Sequence, residues 1–445
     1  LLIVPLPSSS PDLVKQIPKC RDVVITGVGA VTSLGIGTEL LWARLCAGES
    51  GIARLPAVSE ATALQSHPEF TIGGMIPDFD PKAFVRPRKA LKVMCRELTT
   101  AYAASQMAYE GSGVEAWLES EAGDRNRVGT VFGSEMLYGP PEEMASTLER
   151  CRDARGNYEV AAFGQAAMRE MYPLWMLRYL PNMAACHVGI AIQALGPNNT
   201  VVLGDASGLA ALIESSSVIE RGLADVMLTG GTGDRVSTSG LAYHRDRPFA
   251  LPADPVSASP LPYHPASTGV VNGEGAASLT LESAKVCRSR GGTPLATVRG
   301  WASRFVPSTS GRGSAPAVAL AVRDALAAAA VDPASLGLVI SHAMGDPEQD
   351  AAERQGLAEV VPEVPVYAPI VALGHCGAAV GAINAAIAVL ATARQRVPPT
   401  LNAERVPGDV AIRLTRELTE GPFETVLCLS HTAQGQAVAV VLGRP

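Results

Sequence analysis

Gly196-Pro197-Asn198-Asn199-Thr200-Val201-Val202-Leu203-Gly204-Asp205-Ala206-Ser207-Gly208 is the stretch on which the reading of this chain turns. A β-branched run meets a glycine and a carboxylate, and Asp205-Ala206-Ser207-Gly208 then opens a helix rich in Ala, Leu and Ile. The segment closes on Asp225-Val226-Met227-Leu228-Thr229-Gly230-Gly231, a buried strand ending in a glycine turn. A second segment has the same form. His375-Cys376-Gly377-Ala378-Ala379 opens another small-residue helix, and Glu424 to Ser430 supplies its closing strand. Upstream, Arg21 to Thr32 reads as a strand buried on both faces, and Val128 to Gly133 as another. Strand and helix signals alternate to the end, which favours a layered α/β fold built from two related halves.

Composition sets the outer limits. The 445 residues exceed one ordinary domain and suit two fused halves; 47% hydrophobic and 18% charged residues are globular values. A net charge of −7 argues against general nucleic-acid binding, which needs a basic field. The apolar run from Gly377 to Ala393 contains Asn384 and is Ala/Gly-rich, so it reads as a buried helix rather than a membrane span. No basic segment followed by an apolar core marks a signal peptide. The eight cysteines are scattered, with no CxxC, as reduced thiols of a cytoplasmic protein are. No metal cluster and no cofactor fingerprint is expected: Gly27-x-Gly29 lacks the third glycine and acidic residue of a dinucleotide loop.

Five motifs in order carry a resemblance that covers residues 21–443. They are Val24-Ile25-Thr26-Gly27-Val28-Gly29, Leu180-Pro181-Asn182-Met183, the Gly196–Gly208 run, Gly273-Glu274-Gly275-Ala276-Ala277 and Gly374-His375-Cys376-Gly377-Ala378-Ala379. Together they resemble the β-ketoacyl synthases, thiolase-fold enzymes that elongate fatty acids and polyketides. The resemblance implies a five-layer αβαβα fold from two pseudo-duplicated halves. The expected division is a tail at 1–20, an N-terminal half at 21–285 and a C-terminal half at 286–445.

In that family the position of Asp205 holds the cysteine that carries the acyl chain, and two histidines assist condensation. The histidine positions match His342 and His375, and the acidic pair after the first matches Asp350 and Glu353. Three departures stand out. Asp205 replaces the nucleophile, as a carboxylate expected to cap its helix and to be held ionised by the helix terminus and nearby imidazolium. Ile370 replaces the lysine five residues before His375, which leaves Glu353 in need of another cation such as Arg354. Ser430-His431-Thr432-Ala433-Gln434-Gly435 replaces a Phe-Gly gating loop. By their i, i+3 spacing alone, Asp350 and Glu353 would lie on an exposed helix face. His187, His244, His264 and His431 match no catalytic position and read as packing or surface residues, and Cys376 reads as a small core residue.

The resemblance implies a cysteine-less subunit, the chain-length factor of a type II polyketide synthase. Such a subunit forms a heterodimer with a catalytic ketosynthase and serves chains held on an acyl carrier protein, reduced polyene chains among them. Met136, Tyr138 and Met144 are the expected limiters of tunnel length. The basic segment Arg86 to Lys92 reads first as a solvated face and second as a carrier-protein contact. The alternative reading is a malonyl-thioester decarboxylase working through His342 and His375. A third, with Asp205 as a general base, needs a raised pKa that the helix terminus opposes.

Overall fold

The structure, a computed structural model, describes residues 22–55, 67–244, 247–408 and 410–445. The expected tail at 1–20 lies outside the described residues. Two successions of the same form, β-α-β-α-β-α-β-β, make up the chain. The first contains β1 (Val23–Thr32), α1 (Arg96–Ser112), β2 (Val128–Gly133), α2 (Met183–Ala191), β3 (Asn198–Val201), α3 (Ser207–Glu220), β4 (Val226–Asp234) and β5 (Glu274–Ser283). The second contains β6 (Ala296–Phe305), α4 (Ala315–Ala329), β7 (Leu338–Ile340), α5 (Pro347–Val360), β8 (Val366–Tyr367), α6 (Val380–Arg394), β9 (Thr425–His431) and β10 (Gln436–Gly443). Shorter helices and strands fill the connections.

Strand order makes the duplication explicit. The first half runs β3-β2-β4-β5-β1 and the second β8-β7-β9-β10-β6, so each places its own strands in the order third, second, fourth, fifth, first. In both halves the first three of that order are parallel and the last two antiparallel. A short antiparallel pairing of β1 with β6, from Val23↔Val298 to Ile25↔Ala296, joins them into one 11-stranded sheet, with Gly35–Ile36 as an extra strand beside β1.

Helices α1 and α2 cover the outer face of the first half, and α4 covers the second with α5 packed against it. Between the halves lie α3 and α6, which touch each other and the strands of both halves. This is the expected five-layer α/β arrangement. A helix between two sheets has no wet side, so it must be apolar all round. The stretch Gly377–Arg394, long and apolar enough to cross a membrane, is accordingly 89% buried inside the fold.

Close backbone approach explains the glycines. A Cβ on Gly27 would lie 1.9 Å from the Ala108 carbonyl oxygen, and one on Gly29 2.0 Å from that of Ala104. The Gly-x-Gly pair of β1 therefore seats α1 against the sheet. In the central layer, Gly208 of α3 and Gly381 of α6 leave room for each other's helix: a Cβ there would meet the Ala382 and Leu209 backbone nitrogens at 2.7 and 2.6 Å.

Candidate functional site

The site forms where the two halves meet, at the C-terminal ends of their strands, the usual place for ligands in α/β sheets. The pseudo-symmetry sets equivalent positions opposite one another. Asp205 precedes α3 and His375 precedes α6; Glu135 follows β2 and His342 follows β7. The positions that sequence reasoning singled out thus converge. Asp205 Oδ2 lies 3.4 Å from His375 Nε2 and 3.9 Å from His342 Nε2, all three side chains being buried.

Two arginines that sequence reasoning missed decide the chemistry. Arg235, just beyond β4, donates from Nη2 to Asp205 Oδ1 (2.8 Å) and to Glu135 Oε2 (2.8 Å). Arg247 donates from Nη1 to Asp205 Oδ2 at 3.0 Å. The result is an alternating lattice, Glu135–Arg235–Asp205–Arg247, buried throughout. Burial alone would raise the Asp205 pKa, but Arg247 and then Arg235 outweigh it and hold the carboxyl well below its ordinary range.

This corrects two expectations. Asp205 does not cap its helix: Ala206 occupies the N-cap of α3 without a side-chain bond, and the Asp205 oxygens turn to the arginines instead. Nor does an imidazolium hold it ionised. Burial, reinforced by Arg235, pushes His375 down to about 3, and burial also lowers His342. Both rings are neutral at pH 7. A guanidinium can only donate, so the 3.0 Å contact of Arg235 Nη1 makes His375 Nδ1 the acceptor and leaves the ring proton on Nε2, facing Asp205.

Asp205, His342 and His375 also have the donor spacing of a metal site. Two guanidiniums already engage that carboxylate, and a divalent ion there would meet their charge at close range.

The acidic pair on α5 is buried, against the spacing argument, because it organises the loop that carries His342. Asp350 accepts from the backbone N–H groups of Tyr263, Met344 and Gly345 at 2.9–3.0 Å, and burial raises its pKa to about 7. Glu353 accepts from the His342 backbone N–H and the Tyr263 hydroxyl, each at 3.0 Å. Its remaining partner is His431 Nε2 at 2.9 Å; Arg354 makes no ion pair with it. His431 therefore has a specific role that the sequence did not suggest. Where the family lysine would stand, Ile370 packs with Val270, Met344 and Val380. Replacing His431 with alanine is expected to lower stability by about 1–3 kcal/mol, since a buried acceptor loses its donor. Urea unfolding checks this.

A cleft of about 440 Å³ leads down to Asp205 between Met136, Tyr138, Leu203, His244, Phe305 and Gln434. His244 thus lines the cleft, 3.8 Å from Glu135, rather than serving only as packing. Met136 is 55% exposed at the rim, and Tyr138 stacks on Tyr243 with ring centres 3.9 Å apart. Met144, half-buried on the helix Glu142–Arg150, does not line the cleft. His342 and His375 do not line it either. Cys376 is buried, its thiol donating to the Gly374 carbonyl, and burial pushes its pKa up. Arg86, Arg88, Lys89 and Lys92 are exposed to solvent.

The geometry gives an ionised, doubly paired carboxylate below a cleft, with two neutral histidines sealed behind it. Residues 20–286 match the beta-ketoacyl synthase N-terminal domain and residues 295–404 its C-terminal domain. The 3-oxoacyl-[acyl-carrier-protein] synthase 2 of Rhizobium meliloti is 30% identical over 409 residues, 88% of this chain and 91% of that protein. A Streptomyces halstedii protein, provisionally named polyketide beta-ketoacyl synthase 2, is 28% identical over 429 residues, 95% of this chain and 97% of that protein. The ishigamide ketosynthase/chain length factor superposes with a TM-score of 0.79 at 23% identity, over 96% of this chain and 100% of that one, a likeness of fold. With family matches over both halves and a relative at 30% identity along most of its length, the chain belongs to the beta-ketoacyl synthase family.

Proposed function

We propose that the chain is a non-condensing subunit, a chain-length factor, paired with a catalytic ketosynthase in type II polyketide biosynthesis. The observation that carries this reading is the fate of Asp205. It stands where the family's nucleophile belongs, and its charge is committed to Arg235 and Arg247. A carboxylate so stabilised is a poor nucleophile toward a thioester, and the anhydride it would form is labile.

Two further features support the reading. The sheet ends at β3, whose outer edge pairs with no described strand, and Ile190, Leu195 and Val202 are exposed beside it. An open edge flanked by apolar side chains suits a partner chain. The ishigamide neighbour is named as a ketosynthase/chain length factor. Carrier-bound chains would be elongated at the partner's cysteine, with Met136 and Tyr138 limiting their length and Met144 acting at most from outside the cleft.

The decarboxylase alternative rests on the two retained histidines. Donating to a thioester carbonyl, their Nε2 atoms would have to share an acceptor oxygen where Asp205 Oδ2 now sits. Co-expression with an intact ketosynthase, followed by size-exclusion chromatography and a malonyl-carrier-protein turnover assay, tests the proposal. The expected result is a one-to-one complex whose condensation depends on the partner's cysteine. A homodimer that releases CO2 from malonyl thioester, and loses that activity with His342→Ala, would overturn it.

A further inference from the structure

On the other side of the β4 turn from Asp205 lies a second cavity, of about 510 Å³. Its acidic groups are Glu97 in the first turn of α1, Asp234 at the end of β4, Glu274 and Glu143. Two of the four are neutralised. Arg96 takes Glu274 in a bidentate pair, both bonds 2.7 Å, and Arg178 takes Glu143 at 2.6 Å.

Glu97 and Asp234 are left without a cation in salt-bridge contact among the described residues. Asp234 Oδ1 accepts from the Val236 and Ser237 backbone N–H groups at 3.0 Å. Glu97 is only 8% exposed, and its carboxyl is hydrogen-bonded by the Cys95 thiol and its own backbone N–H. Burial, followed by the Asp234 charge, raises Glu97 to about 8; burial, followed by the Glu274 charge, raises Asp234 to about 6. Arg96, engaged with Glu274, draws Asp234 down only in part, and at neutral pH the pair retains a proton.

The walls define what can replace that proton. Tyr138 and Tyr179 line the cavity together with Met75 and Pro140, so an acidic floor lies beneath aromatic and apolar sides. An anion would be repelled by the ionised acid of the pair, and a neutral ligand could not take the place of the proton that the pair retains. A metal ion needs three or more donors converging on one point. Among the described residues such convergence occurs at Asp205, His342 and His375, not here. A positive group on an organic stem satisfies both floor and walls, through charge-assisted hydrogen bonds below and cation–π contact beside.

We propose that this cavity binds an organic monocation, a primary ammonium or guanidinium carried on a short apolar stem. The two cavities share Tyr138 in their walls, but the acids Glu97 and Asp234 line only this one. Isothermal titration of the full chain with n-butylammonium chloride tests it, with n-butanol and magnesium chloride as comparison ligands. The expected result is saturable butylammonium binding that releases protons to the buffer at pH 7. Affinity should strengthen by up to about tenfold per pH unit between pH 6 and 8, because protons compete for the same carboxyls.

Glu97→Gln, an isostere of the protonated acid, should fold normally by circular dichroism and weaken binding at least about tenfold. Asp234→Asn should weaken it similarly, and the exposed Arg88→Ala should leave it unchanged. No saturable heat with butylammonium, equal binding of n-butanol, tighter binding of magnesium, or undiminished affinity in folded Glu97→Gln would each overturn the proposal.

Discussion

Replacing Asp205 with alanine is expected to destabilise the chain by about 3–5 kcal/mol. The reason is what the substitution leaves behind. Arg235 and Arg247 each lose a contact of 3.0 Å or less where both are buried, and neither can shed its proton. Asp205→Asn keeps the shape and an acceptor oxygen, so roughly half that loss is expected.

The pH dependence is a separate check. The folded pKa of Asp205 lies well below its unfolded value of about 3.9, so its stabilisation is fully present above pH ~4 and is lost only as pH falls through the folded value. The gap between wild type and Asp205→Ala in urea midpoints should therefore stay level from pH 8 to pH 5 and narrow only in stronger acid. A gap below about 1 kcal/mol at pH 7 would mean that the lattice does not hold the site together.

Glu97→Gln should do the opposite and stabilise the chain at alkaline pH. Glu97 titrates at about 8 when folded and near 4.3 when unfolded. Across that interval the folded state binds the extra proton, so wild-type stability falls by about 1.4 kcal/mol per pH unit as pH rises. Glutamine removes this slope. Near pH 4.5 the two proteins should be alike. By pH 8 the variant should lead by about 3–5 kcal/mol, less whatever share of the proton Asp234 takes over. Paired urea titrations at the two pH values give the answer, and a lead that does not change with pH would show that Glu97 is not the proton's holder.

The fold was legible because its signals are local. Each closing strand, each glycine turn and each small-residue helix can be read from fewer than about twenty consecutive residues, and their recurrence exposes the duplication. Asp205, His342 and His375 were legible through motif position. What could not be read was how the site neutralises its charges. Arg235 is 30 residues from Asp205 and 100 from Glu135, and His431 is 78 from Glu353. Pairs so far apart leave no periodic trace. One clue did exist: two charged residues, Asp234 and Arg235, close an otherwise small, glycine-rich run, Gly230 to Gly233. Asp350 and Glu353 misled for a related reason, since i, i+3 spacing describes an exposed face only when nothing packs over it. The task of Gly27-x-Gly29 could not be read from the sequence, because it required the path of α1 to be known.

The alternating lattice also acts as an evolutionary ratchet. Each of its four charges is balanced by a neighbour inside the protein, so changing any one exposes another. A thiol at position 205 would leave two guanidiniums facing it; removing Arg235 first would leave Glu135 without its arginine and Asp205 with Arg247 alone. A single substitution that puts a thiol at position 205 therefore passes through a less stable protein, and the coupled substitutions do not add. The charge pattern of the core thus constrains position 205 as firmly as any demand made on it from outside.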